Sequence, residues 1–498
     1  MKKYLILSIL FVFIISSCSK DYLDTKPTDK VDGESVFNTV ENASKLLNGI
    51  YRLMFQRTEE VTSNQQNKPG VGGILLNVEF MGEDLGISNN NWFSSEASWN
   101  AHRVDNNIVP QYVYRTFYRM IGNANNIIDN VDAAIGAESE KVRVKAEAIT
   151  LRAYAYTYLV QFFAKRYDAT AKPNTQPGIP LPLSSGDSDM PRASVEEVYA
   201  AIIKDLEDVI ALNVMVRENK SHINALVAKA LRARVALTMQ DYPNAIKYSK
   251  EVIDGGEFPL MSEAAYLSGF NNAPNLSEVM WASMPTEDQG DTFGSFFAQI
   301  AYDANTSFMR ANPKRINSAL YDQISESDIR KKLWEPVPTS ENFPLPSTAF
   351  ARQAYMSRKF AVKVVGGPSL GDVPLVRSAE MYLILAEAYA KNGQEEEAQN
   401  TLFQLNSVRD SNAKKSIKTG PALIEEILFN RRIELWGEGF RWLDLKRLNL
   451  PLNRTLVPNF VSASVAGVME IPAGDIRWQF LIPRLEMEAN PNIGEQNP

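Results

Sequence analysis

The chain has 498 residues, 45% of them hydrophobic and 22% charged, which supports a large core and excludes a chain that is disordered throughout. Its 52 Lys and Arg against 59 Asp and Glu leave a formal charge of −7, so nothing in the balance points to a phosphate-binding surface and nucleic acid is not an expected partner. One cysteine and two histidines exclude disulfide scaffolds, Cys-rich zinc sites, thiol redox pairs and His-rich metal centres, so no cofactor or metal is expected.

The chain opens with Lys2-Lys3, an apolar run over 4–15 and the small pair Ser16-Ser17, the pattern of an export signal. As a helix that run would reach about 18 Å, short of the roughly 30 Å hydrocarbon core, so a membrane-spanning helix is not expected. Ile15-Ser16-Ser17-Cys18 resembles a bacterial lipobox, which implies removal of residues 1–17 and lipidation of Cys18. The alternative is an ordinary secretory signal with an incidental cysteine. An exported lone thiol is free to oxidise or cross-link, and lipidation accounts for it better. Several acyl chains, each adding about 0.8 kcal/mol per buried CH₂, make a durable anchor.

Beyond a polar stretch over 21–32, apolar residues at helical spacing predict helices over 40–55, 112–135, 140–167, 195–212, 224–240, 242–253, 375–392, 395–410 and 422–436. Ser194 before Val195-Glu196-Glu197 supplies a hydroxyl cap and early carboxylates to one of them. Two stretches share a pattern. Ala228, Ala230, Leu231, Ala233, Ala236 and Leu237 precede a turn at Gln240-Asp241-Tyr242 and then Ala245, Tyr248 and Val252; Tyr382, Leu385, Ala386, Ala388 and Tyr389 precede a turn at Asn392-Gly393-Gln394 and then Ala398, Leu402 and Leu405. Small residues that let a second helix approach, with large ones filling the groove, are the packing logic of tetratricopeptide-like hairpins. The expected fold is mainly α: a single domain over 18–498, with a helical-repeat scaffold at about 40–56, 112–255 and 375–450. An irregular, loop-rich and partly β ligand-binding half occupies about 57–110 and 256–374, with strand-like runs at 279–283 and 359–365.

Catalytic motifs fail on context. Gly367-Pro368-Ser369-Leu370-Gly371 matches a nucleophile elbow, but Gly371-Asp372-Val373-Pro374 is turn-forming where a helix must start, and both His102 and His222 precede Ser369. Glu395-Glu396-Glu397 opens a predicted helix, where acids favour the macrodipole. Asp21, Asp24, Asp29 and Asp32 lack the spacing of a calcium loop. His222 reads as a capping or surface residue, while His102 lies three residues after Trp99, in a candidate ligand loop.

The aromatics carry more. A ring in a loop stacks on the C–H face of a sugar while nearby amides and carboxylates bond the hydroxyls around its edge. Asn91 with Trp92, and Trp99 with Asn100, offer that combination, with Glu83 and Asp84 as hydrogen-bond acceptors rather than glycosidase acids. The alternative is that both tryptophans pack inward. Tyr302 and Phe308, in a polar segment, add two candidates, and Trp281 reads as a core strand residue.

The run Ile433-Glu434-Leu435-Trp436-Gly437-Glu438-Gly439-Phe440-Arg441-Trp442-Leu443-Asp444-Leu445-Lys446-Arg447 resembles the SusD/RagB family of outer-membrane nutrient-uptake lipoproteins. Four further segments agree in order: Cys18 with Tyr22-Leu23-Asp24 and Pro27; Leu151-Arg152-Ala153-Tyr154 through Phe162-Phe163; Val376-Arg377-Ser378-Ala379-Glu380 through Ala388-Tyr389; and Ile482-Pro483 through Asn490-Pro491 to Gln496-Asn497-Pro498, which lacks the usual final Gly-Tyr. Arg431, Glu434, Glu438, Arg441, Asp444 and Arg447 stand three or four apart, which predicts pairing along a helix and its continuation, with Trp436 and Trp442 in the core. The motif therefore reads as scaffold.

The resemblance implies a noncatalytic lipoprotein in the outer membrane, facing the cell exterior and anchored at Cys18. It would capture an oligosaccharide or polysaccharide and pass it to a SusC-like TonB-dependent transporter. A peptide- or protein-capturing RagB-like member is the alternative, and a surface glycoside hydrolase a third reading. Because the family's sugar contacts come from variable loops, the candidate set stays Trp92, Trp99, Asn91, Asn100, Glu83, Asp84, Tyr302 and Phe308.

Overall fold

Segments with one apolar face fold here as antiparallel helices, each packed on the next. The computed structural model describes residues 37–57, 66–87 and 93–498; Cys18, Asn91 and Trp92 lie outside them. The helices are α1 (Val40–Leu53), α2 (Gly70–Met81), α3 (Ile108–Asn130), α4 (Glu138–Phe163), α5 (Val195–Leu212), α6 (Ala225–Thr238), α7 (Tyr242–Asp254), α8 (Ser378–Lys391), α9 (Glu395–Arg409), α10 (Gly420–Glu434) and α11 (Arg441–Arg447). Contacts run in series: α1 on α3, α3 on α4, α4 on α5, and so on through α8, which packs on both α9 and α10. Ser194 caps α5 in a reciprocal box, its Oγ accepting from Glu197 N at 3.2 Å while the Glu197 carboxylate accepts from Ser194 N at 2.7 Å.

The two similar stretches are helical hairpins, α6–α7 and α8–α9, and both turns use a left-handed residue, Gln240 at φ 60° and Gly393 at φ 76°. Since α7 also packs on α8, the hairpins stack although some 120 residues separate them in the sequence. Arg234 of α6 pairs with Glu380 of α8 at 2.6 Å across that junction. The intervening excursion thus leaves and returns at neighbouring points, and antiparallel strands Val279–Ser283 and Val373–Arg377 close its base. Trp281 is fully buried in the first of these strands. Residues 375–377, expected to begin a helix, belong to the second because they complete this ladder.

Two expectations need correction. The supposed loop face over 57–110 contains α2, every residue of which is buried. A helix surrounded on all sides has no polar stripe, so Gly70-Val71-Gly72-Gly73-Ile74-Leu75-Leu76 gives no helical period. Its glycines permit the close approach: a Cβ on Gly73 would lie 2.6 Å from the Tyr112 hydroxyl. The strand-like run at 359–365 is irregular, and Lys359 instead sends its ammonium inward.

The charges of the family motif pair only in part along the helix and its continuation. Gly437 and Gly439, at φ 78° and 86°, break the chain between α10 and α11, so the side chains reach other elements. Glu434 meets Arg377 at 3.1 Å, Arg409 at 3.1 Å and Arg330 at 3.6 Å. Glu438 meets Arg377 and Lys359, both at 2.7 Å. Glu278 meets Arg377 at 2.8 Å and also pairs with Arg409; Asp328 meets Arg330 at 2.7 Å. Arg441 bonds Glu83, Arg431 pairs with Asp444, and Arg447 bridges Asp444 and Glu387; of these, only Arg447 with Asp444 is a same-helix pair. Trp436 and Trp442 are both buried, as expected.

Burial alone would raise the Glu434 carboxyl, but Arg409, Arg377 and Arg330 outweigh it and hold it well below the usual carboxylate range. Its folded value is depressed, so its contribution is complete above the unfolded value and lost as acid protonates it. Glu434→Ala leaves three buried guanidiniums short of a counter-charge and is expected to lower the unfolding free energy by about 3–5 kcal/mol in denaturant titration.

Glu79 of α2 behaves oppositely. Its Oε1 accepts from Gly439 N at 2.6 Å, and burial, with Asp84 adding repulsion, pushes its carboxyl up to about 8. Being protonated when folded and ionised when unfolded at neutral pH, it loses stability as pH rises from the unfolded value towards 8. Glu79→Gln is therefore expected to melt above the parent at about pH 7.5 and equally with it at about pH 4. The same increment at both pH values would refute the titration.

Candidate functional site

Trp99 is not an exposed platform. It is 2% exposed, its Nε1–H donates to Met81 O at 2.9 Å, and its ring packs edge-on against Trp478 at 4.7 Å. Next to it Asn100 is exposed, while His102 is buried with Nε2 at 2.8 Å from Arg477 O. Burial lowers the His102 value to about 3, so the imidazole is neutral.

Glu83 and Asp84 are committed to the scaffold. The first accepts from Arg441 Nε at 2.9 Å and the second from Arg432 Nε at 2.8 Å, while Asp84 O accepts the Trp436 indole N–H at 3.0 Å. Phe308 is 3% exposed beneath the Lys314 ammonium, which sits 3.8 Å from its ring centre. Ser369, the serine of the apparent elbow, is buried; its hydroxyl donates to Thr292 O at 2.7 Å and no helix follows it. His222 is buried too, its Nε2 lying 3.0 Å from Asn48 Oδ1. Of the candidates among the described residues, Tyr302 and Asn100 keep exposed surface.

The excursion supplies what the sequence reading missed. Short edges run side by side: Leu85 bridges Ile316, Arg315 bridges Met356, and Met356 pairs with Glu335 in the small ladder of Trp334–Glu335 with Met356–Ser357. Two ring pairs lie on the excursion, with Phe343 buried and the three tyrosines half-buried. Tyr321 and Tyr355 meet edge to face at 5.4 Å with the Lys331 ammonium 5.0 Å from Tyr321, and Tyr302 meets Phe343 at 5.4 Å with the Arg358 guanidinium 4.2 Å from Phe343. The hydroxyls of Tyr302, Tyr321 and Tyr355 have no hydrogen-bond partner among the described residues. Asp303, next to Tyr302 in the chain, accepts from Val362 N at 2.8 Å, and burial pushes its carboxyl up to about 6.

Both flanks of the segment carrying Asn91 and Trp92 are fixed to this half. Gly86 N donates to Arg315 O at 2.9 Å and Ile87 O accepts from Val461 N at 2.7 Å; beyond the segment, Phe93 stacks on Phe80 at 4.3 Å and tilts against Phe308. Tyr321 and Tyr355 left little trace in the sequence, because their pairing depends on Tyr355 taking a left-handed φ of 66°.

Comparison with known proteins agrees with this architecture. Residues 21–237 match a family described as starch-binding associating with outer membrane, and residues 294–476 match the SusD family. SusD-like protein P2 of Formosa agariphila is 24% identical over the full length of both chains. The crystal structure of a SusD-like carbohydrate binding protein from Bacteroides vulgatus has a TM-score of 0.77 at 25% identity, covering 92% of this chain and 98% of the other. A SusD superfamily protein from Bacteroides thetaiotaomicron has a TM-score of 0.77 at 26% identity, covering 92% and 100%. With both the helical scaffold and the excursion matched in order, the chain belongs to the SusD/RagB family.

Proposed function

We propose that the protein is a noncatalytic, lipid-anchored glycan-binding protein of the outer membrane, facing the cell exterior. It captures an oligosaccharide on the tyrosine-bearing excursion and delivers it to a SusC-like TonB-dependent transporter. The observation that carries the reading is the group Tyr302, Tyr321 and Tyr355, whose rings and unpaired hydroxyls suit the C–H faces and hydroxyls of sugars. Trp92 and Asn91 join them in the proposal, since the flanks of their segment are pinned to the same half. The family's description as starch-binding, and that of the Bacteroides vulgatus protein as carbohydrate binding, support the ligand class.

The candidate nucleophile Ser369 and the candidate acids Glu83 and Asp84 are held in scaffold contacts, which supports binding over catalysis. No helix among the described residues is long and apolar enough to cross a membrane. The proposed attachment is a lipid at Cys18, and its support is the lipobox-like sequence Ile15-Ser16-Ser17 before it.

In calorimetric titration of the mature chain against a polysaccharide panel, Tyr302→Ala, Tyr321→Ala, Tyr355→Ala and Trp92→Ala are each expected to weaken binding about tenfold, or about 1.4 kcal/mol. Trp99→Ala is expected instead to lower the melting temperature. Unchanged affinity in all four variants would remove the site, and selective binding of peptides would replace the glycan with the RagB-like alternative. Cys18→Ala is expected to shift the protein from the membrane to the soluble fraction and abolish incorporation of labelled palmitate.

A further inference from the structure

Charge is unevenly spread over the excursion. Residues 301–360 hold nine Lys and Arg against six Asp and Glu, a positive surplus in a chain whose total is −7. Arg330 and Lys359 of this stretch are paired with Asp328 and Glu438, and Lys331 and Lys332 meet Glu326 and Glu263, both at 2.6 Å. Lys314 and Arg315 are buried. Arg310, Arg352 and Arg358 are half-buried and have no carboxylate within about 4 Å among the described residues.

Two of these arginines frame Tyr302. The Arg358 guanidinium lies 4.2 Å from the centre of the Phe343 ring, the same ring that Tyr302 meets at 5.4 Å, and its Nη2 donates to Asn342 O at 2.8 Å. Arg352 Nε donates to Thr339 O at 3.1 Å and to Phe343 O at 3.2 Å. Asn342 and Phe343 thus hold both side chains at one corner. Ala351 N donates to Arg310 O at 2.7 Å, so the segment of Arg310 runs beside that of Arg352. The outer ends stay open: Arg352 Nη1 and Nη2, Arg358 Nη1 and the Tyr302 hydroxyl make no hydrogen bond among the described residues and are accessible to solvent.

The acids of the stretch sit elsewhere. Asp322 and Glu326 are exposed towards Tyr321, whose phenol is pushed up to about 12 by burial and by Glu326 and Glu335. Glu335 acts on Arg358 from beyond ion-pair distance, and its Oε1 accepts from Val337 N at 3.1 Å. Asp303 is buried, and the exposed Glu341 pairs with neither guanidinium. A planar guanidinium grips a carboxylate or sulfate through two parallel N–H bonds, and one already ordered by ring and carbonyl contacts loses less freedom in doing so. A sugar acid supplies what this corner lacks, an anion for the two arginines and a ring face for Tyr302.

We propose that the Tyr302 corner selects an acidic sugar, its carboxylate or sulfate held by Arg352 and Arg358 and its ring set against Tyr302. The proposal rests on the reading that the excursion binds glycans, and it names the class of glycan.

The test is calorimetric titration of the mature chain with two matched pairs, oligogalacturonate against its methyl ester and a sulfated galactan oligosaccharide against its desulfated form. The expected result is that an acidic member binds about tenfold or more tighter than its neutral partner, with an advantage that shrinks as NaCl rises from about 0.05 to 0.5 M. Which pair responds tells carboxylate from sulfate. Arg352→Gln and Arg358→Gln, with folding checked by melting, should each weaken acidic binding about tenfold and leave neutral binding unchanged. Glu335→Gln, which leaves both arginines in place and removes a nearby negative charge, should strengthen acidic binding about twofold. Neutral members bound as tightly as acidic ones, or acidic binding unchanged in the arginine variants, would overturn the acidic assignment and leave the glycan reading standing. Failure of all four compounds where neutral polysaccharides bind would do the same, and failure of every glycan would overturn both.

Discussion

The fold depends on a buried balance of charge. Arg330, Lys359, Arg377 and Arg409 lie against Glu278, Asp328, Glu434 and Glu438, equal in number and almost wholly out of water. Such groups are costly to desolvate and stable only when every partner is present. Their sources are the point. Arg409 and Glu434 belong to scaffold helices and Arg377 ends the strand that leads into α8, whereas Glu278, Asp328, Arg330 and Lys359 come from the excursion. The charges on each side sum to zero, but the pairs cross the junction, Glu278 to Arg377 and Arg409, Lys359 to Glu438 and Arg330 to Glu434, so the irregular half is docked by a specific electrostatic match as well as by apolar packing. The Glu438 carboxylate sits at the join, shared between Arg377 and Lys359.

That balance explains why a motif can identify the family without marking where ligand binds. Arg152 pairs with Asp205 to join α4 to α5, Glu380 joins α6 to α8 through Arg234, and Arg447 joins α11 to α8 through Glu387. At the chain's end, the Asn497 carboxamide bonds Phe163 O and Phe480 O, both at 2.7 Å, sealing the last turn of α4. Every one of these residues maintains helix placement. The tyrosines of the proposed site stand on segments that the motif residues hold but do not form.

Sequence reading succeeded where physics leaves a local signature. Amphipathic period placed the hairpins α6–α7 and α8–α9, Ser194 marked the start of α5, and Trp281 was assigned to a buried strand. It failed where burial is complete or pairing is distant. The uniformly apolar α2 shows no period, and the spacing of Arg431, Glu434 and Glu438 suggested helix pairs that the left-handed Gly437 and Gly439 redirect in a way spacing does not encode. Trp99 was ambiguous for the same reason: its polar setting in the sequence does not reveal that Met81, Trp442 and Trp478 surround it in space.

The contact between α7 and α8 has a consequence for how such a protein changes. Because the helices on either side of the excursion already touch, the scaffold fixes its two ends whatever lies between. Lengthening a closed loop is inexpensive, about 0.6 kcal/mol for each doubling. Residues 255–374 therefore form an insert whose ends the scaffold holds, tolerant of changes in length so long as Glu278, Asp328, Arg330 and Lys359 still reach their partners in the buried charge cluster. New ligand preferences can then arise by remodelling one insert while the helices, and whatever docks on them, stay as they are.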